Sequence, residues 1–546
     1  MAIIFQHDKR SGITYAYEAT YKWNKEKKQS RSKRTLIGRV DADGNIVPTD
    51  GRCKKNSPAA KGSSAEESVA KEPVVAKKGP APAFCARHLF YGATYLLDEI
   101  CESTGVAKDL RACFPDTWKQ MLSIAYYLIL EDNNPLYRFE KWGQIHHHPY
   151  GKTISSPRSS EFFSEITDQQ IQDFFRLQGK RRIPEEYWAY DSTTISSYSE
   201  TLRQVQYGKN KENDNLPQLN LLLVFGEKSG LPFYYRKLAG NIPDAKTVKH
   251  LLADLNILGF GKTKVVMDRG FYSEKNVNAL YQEHVKFLLA ARTSLSFVRK
   301  HLDAVHDDIR MFPYYDENFN GYGYTVSTQW DYRQERPYKK DTLQEKRRIY
   351  IHLYYSIDKG AEAESAFDRK IASLYKELLN NDRKAEHAKQ YEKYFTVKQT
   401  SKGVQVIVNE AALKKARKYL GYFALITNEK MDAFTALQLY RMKDVVEKAF
   451  GNIKERLNMR RLLVSSERGL DGKLFVEFVA LILISYIHQR MKAQNLYKKY
   501  TMHQLLDKLD VIECFEEPGH RLRVGELLVE QHELYQKLGV EPPTSL

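Results

Sequence analysis

Residues 262–290, KTKVVMDRGFYSEKNVNALYQEHVKFLLA, carry the reading of the fold. The segment opens on a short apolar run that stops at Asp268. An amphipathic stretch follows, begun by Ser273, a residue type whose hydroxyl satisfies the free amides at a helix start. The segment closes on a second apolar run, VKFLLAART (285–293). Strand, helix and strand in so short a span predict an α/β layer. Upstream, YWAYDSTTI (187–195) opens as a short apolar run that ends at Asp191. PQLNLLLVFG (217–226) and LPFYYRKLAGN (231–241), joined by EKSG, read as a hairpin. DAKTVKHLLADLNILGF (244–260) reads as an amphipathic helix with Asp244 as its N-cap. Three meandering strands, then helix, strand, helix and strand, predict one central sheet.

The whole chain has 546 residues, enough for roughly three units at about 150 residues each. Hydrophobic content of 42% and aromatic content of 12% suit globular cores. Lys and Arg number 85 against 68 Asp and Glu, a net charge of +17. That balance favours a polyanionic partner, with nucleic acid first. Cys53, Cys85, Cys101, Cys113 and Cys514 form no CxxC pair, so the cysteines suggest a reducing compartment and no zinc knuckle. The opening MAIIFQHDKR lacks a leader pattern. The most apolar run, LFVEFVALILISYI (474–487), contains Glu477 and is shorter than the ~20 residues of a membrane span, so it reads as a buried helix. The expectation is a cytoplasmic protein with no membrane partner.

Seven segments follow from composition and pattern. Residues 1–50 alternate like strands, around the Asp43-Gly44 turn signal, and hold the basic stretch KWNKEKKQSRSKR (22–34), a candidate phosphate-contacting arm beside Tyr21 and Trp23 or a solvated loop. Residues 51–83, rich in Lys, Ala, Ser, Pro and Glu, read as a linker. Residues 84–183 read as helical; HHHP (146–149) invites a metal, but adjacent histidines on a regular element point different ways. Residues 184–293 are the first part of the core. Residues 294–420 mix Tyr-rich strands with a charged helix. A return to the core, 421–465, precedes a helical region, 466–546.

Asp191 and Asp268 both read as the ends of apolar strands, and in an open sheet functional side chains gather at strand ends. Neighbouring carboxylates are stable together when cations bridge them, and hard divalent ions prefer oxygen. The competing reading of each is an ordinary cap for the next helix. A third carboxylate stands in YRMKDVVEKAFGNIK (440–454). Read as one helix at about 100° per residue from Tyr440, Lys443, Glu447 and Lys454 fall near 300°, 340° and 320°. Val446, Phe450, Ile453 and Leu457 form the apolar face beside them. The competing reading is a solvated edge with Lys443 and Glu447 as an i,i+4 pair.

This constellation resembles the DDE transposases of bacterial insertion sequences, in the insertion-sequence-four superfamily. Their signature, Y-x2-R-x3-E-x6-K, is matched in spacing by Tyr440, Lys443, Glu447 and Lys454, with lysine for arginine at 443. Lysine keeps the charge but loses the bidentate fork. YDSTTI (190–195), VVMDRGFYS (265–273), GYFALITN (421–428), the 215–248 segment and the amino-terminal 21–48 segment are similar to further blocks of that family. The resemblance implies an RNase H-like core interrupted by a β-rich insertion domain at 294–420, with a small β-containing DNA-contacting unit at 1–50 and helical flanks. It implies metal-dependent DNA cleavage at element ends and strand transfer into target DNA. Asp191, Asp268 and Glu447 would hold Mg²⁺, with Mn²⁺ able to substitute. Tyr440, Lys443, Lys454 and Arg269 would contact DNA. Some relatives stack a flipped base on an aromatic of the insertion; Trp330 is the candidate equivalent, or else a core tryptophan. The implied partners are double-stranded DNA, as terminal inverted repeats and target, and a second copy in a homodimer on DNA, in a bacterial cytoplasm at the nucleoid. The alternatives are a transposase-derived DNA-binding protein without cleavage activity and a host RNase H-like nuclease.

Overall fold

A run such as Lys264–Met267 must bury both its faces, and it does so in the middle of a nine-stranded sheet. The computed structural model describes residues 2–7, 13–24, 29–41, 46–47, 86–131, 134–181, 186–209, 211, 214–260, 263–336, 338–400, 403–452, 454, 457, 464, 466–517 and 519–544. The expected linker at 51–83 lies outside the described residues, as do Cys53, Cys85 and the turn of the basic stretch at 25–28. The chain divides into two units, Met1–Gly79 and Pro80–Leu546.

The first unit holds one antiparallel sheet of β1 (Ala2–His7), β2 (Thr14–Asn24), β3 (Gln29–Val40) and β4 (Ile46–Val47), in that order. Its alternating pattern produces these strands, and β2 and β3 pair along their whole length.

The second unit begins with β5 (Arg87–Phe90), then helices α1 (Gly92–Ser103), α2 (Val106–Cys113), α3 (Trp118–Leu130), α4 (Phe139–Ile145), α5 (Ser156–Glu165) and α6 (Asp168–Lys180). Next come β6 (Tyr187–Ser196), β7 (Gln218–Gly226), β8 (Pro232–Ala239), α7 (Asp244–Leu258), β9 (Lys264–Met267), α8 (Glu274–Gln282) and β10 (Lys286–Ala291), in the order expected from the pattern. Ser273 caps α8, its side chain accepting from the Asn276 amide. Asp244 does not cap α7: Pro243 holds the cap position and Asp244 is the first helical residue. Proline suits the helix edge, and the freed Asp244 carboxylate instead accepts from Ser192 Oγ at 2.6 Å.

The chain continues through α9 (Ser296–Val305), β11 (Tyr315–Asp316), β12 (Gly321–Arg336), β13 (Asp341–Ser356), α10 (Ile357–Leu379), α11 (Ala388–Tyr394), β14 (Phe395–Thr400), β15 (Gly403–Val408), α12 (Glu410–Arg417) and β16 (Tyr422–Thr427). It ends with α13 (Ala433–Arg441), α14 (Asp444–Gly451), α15 (Glu467–Ala493), α16 (Met502–Asp510), β17 (Glu513–Glu516), β18 (Arg523–Val524) and α17 (Val529–Leu538). The central sheet runs β11-β12-β13-β16-β10-β9-β6-β7-β8. Only β9 pairs in parallel, with β10 on one side and β6 on the other; the remaining pairs are antiparallel. The long strands β12 and β13 therefore extend the central sheet across β16. The rest of that interval has its own small core of Leu374, Leu378, Tyr391, Phe395 and Val406 under α10, α11 and the β14–β15 hairpin.

Helix α15 passes through the main core, and its middle is buried all round, which is why the 474–487 run is apolar on every face. Among the described residues no helix is long and apolar enough to cross a membrane. His146 and His148 turn to different partners, Asp510 Oδ2 at 3.0 Å and Ser123 Oγ at 2.9 Å.

One polar group sits deep in α15. Glu477 is 1% exposed, neither carboxylate oxygen has a hydrogen-bond partner, and Lys473 Nζ lies 3.8 Å away. Burial pushes its carboxyl up from 4.5 to about 8, with Lys473 opposing. The folded value lies above the unfolded one. The neutral acid therefore stabilises the fold fully below pH 4.5, and that stability is lost as pH rises toward about 8. Glu477→Gln should remove this dependence. Between pH 5 and pH 8 the wild type should lose on the order of 1 kcal/mol per pH unit relative to the variant in urea titrations. Parallel stability curves would contradict a buried neutral acid.

Candidate active site

The parallel ladder between β6 and β9 pairs Tyr187 with Lys264 and runs to Tyr190 with Met267. Asp191 and Asp268 are the next positions along the two chains. Asp268 follows the end of β9, but β6 does not end at Asp191 as expected and continues to Ser196, because Asp191–Ser196 go on pairing with β7. Neighbouring strands lie about 4.8 Å apart and aligned residues share a face, so the two carboxylates stand side by side. Burial pushes Asp191 up to about 6; Lys211, the Ser192 amide and Lys443 act against it, and Asp268 adds repulsion. Burial also works against ionisation of Asp268, yet the Tyr440 hydroxyl, the Arg269 amide and the charges of Lys443 and Arg269 hold its carboxyl below the usual range. Tyr440 donates to Asp268 Oδ1 at 2.6 Å.

The expected single helix over 440–454 is two. Helix α13 ends at Arg441 and α14 begins at Asp444. Met442 donates to the Leu439 carbonyl and Lys443 to that of Tyr440, each at 3.2 Å, so the chain tightens into a 3₁₀ turn. The reason is that the stretch serves two cores. Ala433, Ala436 and Leu437 of α13 pack in a cluster with Val266, Leu288 and Leu425, whereas Val446, Ala449 and Phe450 of α14 belong to the main core. A straight helix would leave one of these faces in water.

The turn sets Lys443 among the acids. Its Nζ donates to Glu447 Oε1, and its side chain is 12% exposed against 56% for Glu447. Burial disfavours the ammonium, but the bond to Glu447 and the charges of Asp268, Glu447 and Asp191 raise its pKa overall. Lys211, which pattern reading missed, donates to the Ser192 carbonyl at 2.6 Å and to Ser192 Oγ at 2.7 Å beside Asp191. Nothing in its local sequence, KNKEND, distinguishes it from a solvated loop.

A cavity of about 610 Å³ opens on this site, and Asp268, Arg269, Tyr440 and Lys443 line it. Three further cations on its wall, Arg292, Lys359 and Arg441, escaped the sequence reading. Arg292 follows β10 directly and Arg441 follows Tyr440, so strand-end and helix-edge positions were their signals; Lys359 had none. Asp191, Glu447, Lys454 and Trp330 are not among the lining residues. Lys454 lies beyond the end of α14. Trp330 is 8% exposed, its indole N–H donates to Asn278 Oδ1 at 2.8 Å, and its ring meets Phe297 edge-on.

The donors of this site are all carboxylate oxygens, the set that hard divalent cations prefer. Against burial, their charges and the bond to Glu447 raise the Lys443 pKa. The donor chemistry therefore fits such an ion. The set is not closed: among the described residues no three His, Cys, Asp or Glu groups are gathered as a metal cage. Glu447 accepts from Lys443 Nζ.

Residues 185–483 match the family described as "Transposase DDE domain". The match spans more than half of the chain and includes Asp191, Asp268 and Glu447, and the chain belongs to that family. DDE transposase domains generally use divalent metal ions. No curated protein matches the chain. Among solved structures, a piggyBac transposase synaptic complex with hairpin DNA is similar at 12% identity and a TM-score of 0.32, over 76% of this chain and 70% of that one.

Proposed function

We propose that this chain is a DNA transposase that cuts the ends of an insertion sequence and transfers them to target DNA. On this reading the core is RNase H-like, the interval 294–420 is its insertion, residues 1–50 contact DNA, and the signature is that of the insertion-sequence-four superfamily. The observation that carries the proposal is the Asp268 carboxylate, one step past the parallel β6–β9 ladder and bonded to Tyr440 at 2.6 Å, in a cavity that Lys443, Arg269, Arg292, Lys359 and Arg441 also line. Asp191, Asp268 and Glu447 are the residues that would hold Mg²⁺ or Mn²⁺. When bound, such ions supply an activated water or 3′-hydroxyl and stabilise the leaving oxygen.

The chain's own groups do the rest. Tyr440 fixes the orientation of Asp268 by donating to Oδ1. Lys211 lowers the cost of keeping Asp191 ionised in its buried setting. Arg269, Arg292, Lys359 and Arg441 line a cavity whose charge suits DNA phosphates. The short β9 and its parallel neighbour β6 set the spacing of the two aspartates rigidly. A homodimer bridging two element ends belongs to the same reading.

The test is a nicking assay on a labelled duplex carrying an element end, with Mg²⁺, for the wild type and Glu447→Gln. The wild type should nick at the end and the variant should lose on the order of a hundredfold or more in rate. Absence of nicking by the wild type would favour a DNA-binding protein without cleavage. Equal nicking by both would remove Glu447 from the site. Nicking without preference for the end would favour a host nuclease.

A further inference from the structure

The bond between Lys443 and Glu447 has the spacing of an ordinary helical pair, yet its surroundings are not those of a surface pair. A solvated i,i+4 pair leaves both partners in water and couples only with each other. Here the lysine side chain is 12% exposed and lies over the Tyr440 ring, 5.5 Å from its centroid. Its ammonium interacts with Asp268 and Asp191 as well as Glu447. The Tyr440 hydroxyl occupies one oxygen of Asp268, and the Ser192 amide donates to Asp191 Oδ1 at 2.7 Å. Lys443 thus bonds Glu447 and lies over the ring of the tyrosine that holds Asp268, while Lys211 serves the Asp191 side and Arg269 the Asp268 side.

We infer that Lys443 is the resident counter-ion of the acidic site: its ammonium holds the cation position in the metal-free chain, and a divalent ion entering the site displaces it into the cavity. The inference rests on the site reading proposed above. Three consequences follow from charge and geometry. Glu447 stays turned away until the lysine releases it, which accounts for an open donor set. Metal entry frees an ammonium at a cavity wall already lined with Arg269, Arg292, Lys359 and Arg441, so metal and DNA phosphate should bind with positive coupling. Lysine suits the task because it is a point charge on a flexible stem. An arginine fork would grip the carboxylate in two places and be harder to displace.

The test reads Lys443 itself, in the full-length chain without DNA. Amine acetylation followed by mass spectrometry should find Lys443 protected in EDTA and several-fold more reactive with Mn²⁺. Mn²⁺ affinity, followed by electron paramagnetic resonance, should rise roughly fivefold in Lys443→Gln, where the competing ammonium is gone. In Lys443→Arg it should fall. Unchanged acetylation of Lys443 in a wild-type chain that binds Mn²⁺ would overturn the displacement, even if Lys443→Gln binds more tightly, because removal of any nearby charge would do that. Should the glutamine variant fail to fold, the wild-type acetylation result decides alone. Asp268→Asn distinguishes the two levels: it should weaken Mn²⁺ binding. Mn²⁺ binding indifferent to Asp268→Asn would overturn the acidic-site reading, and the displacement with it.

Discussion

Asp268→Asn should abolish cleavage of element-end DNA, lowering the nicking rate by at least on the order of a thousandfold. Asparagine has the shape of aspartate without its charge, so the effect isolates the carboxylate. Of the three proposed ligands Asp268 should be the most sensitive, because it alone both lines the cavity and is held in the ionised form. Its oxygen is oriented by Tyr440 at 2.6 Å, so Tyr440→Phe should lose about 10- to 100-fold, the range of a group that acts through a ligand. Single-turnover nicking of a labelled duplex, with thermal melting to check that both variants fold, measures the two effects. A rate for Asp268→Asn within tenfold of wild type would remove this residue from the machinery. Equal losses from both substitutions would mean that Tyr440 does more than orient.

Gly472→Ala should destabilise the second unit by about 2 kcal/mol, although alanine is the better helix former. The gain in helix propensity is about 1 kcal/mol. Against it stands a close approach of α15 to α5: a Cβ on Gly472 would lie 2.0 Å from the Phe163 carbonyl oxygen. The obstacle is backbone and cannot rotate away, so the helices must separate. Overpacking of that kind costs about 1–3 kcal/mol, and more where backbone has to move. The packing term wins. Gly451→Ala is the control, since no atom lies within 4 Å of a Cβ there. Urea unfolding of the three proteins should place Gly472→Ala well below the wild type and Gly451→Ala level with it or up to about 1 kcal/mol above it. A Gly472→Ala variant as stable as the wild type would mean that α5 shifts freely.

Much of this architecture is legible in residue order because periodicity is local. The strand–helix–strand pattern of 262–290, the hairpin of 217–241 and the buried character of 474–487 each follow from neighbours a few residues apart. Where reading failed, a distant partner had decided. Asp244 looked like a cap, but Pro243 holds that position and a serine on β6 takes the carboxylate. The 440–454 stretch looked like one helix, but its two halves belong to two cores. Lys359 was passed over because it stands among unremarkable neighbours, and only folding brings it to the cavity that Asp268 lines.

By itself the sequence determined the central α/β layer, the strands that lead to Asp191 and Asp268, and the spacing of Tyr440, Lys443, Glu447 and Lys454, since these depend on side-chain type and on the fixed periods of helix and strand. The tertiary structure alone decided how these pieces meet. The parallel register of β6 and β9 aligned the two aspartates, and the 3₁₀ turn at Met442–Lys443 set the lysine among the acids. Register, helix breaks and cavity walls are settled by burial against residues far away in the chain, and no local period encodes them.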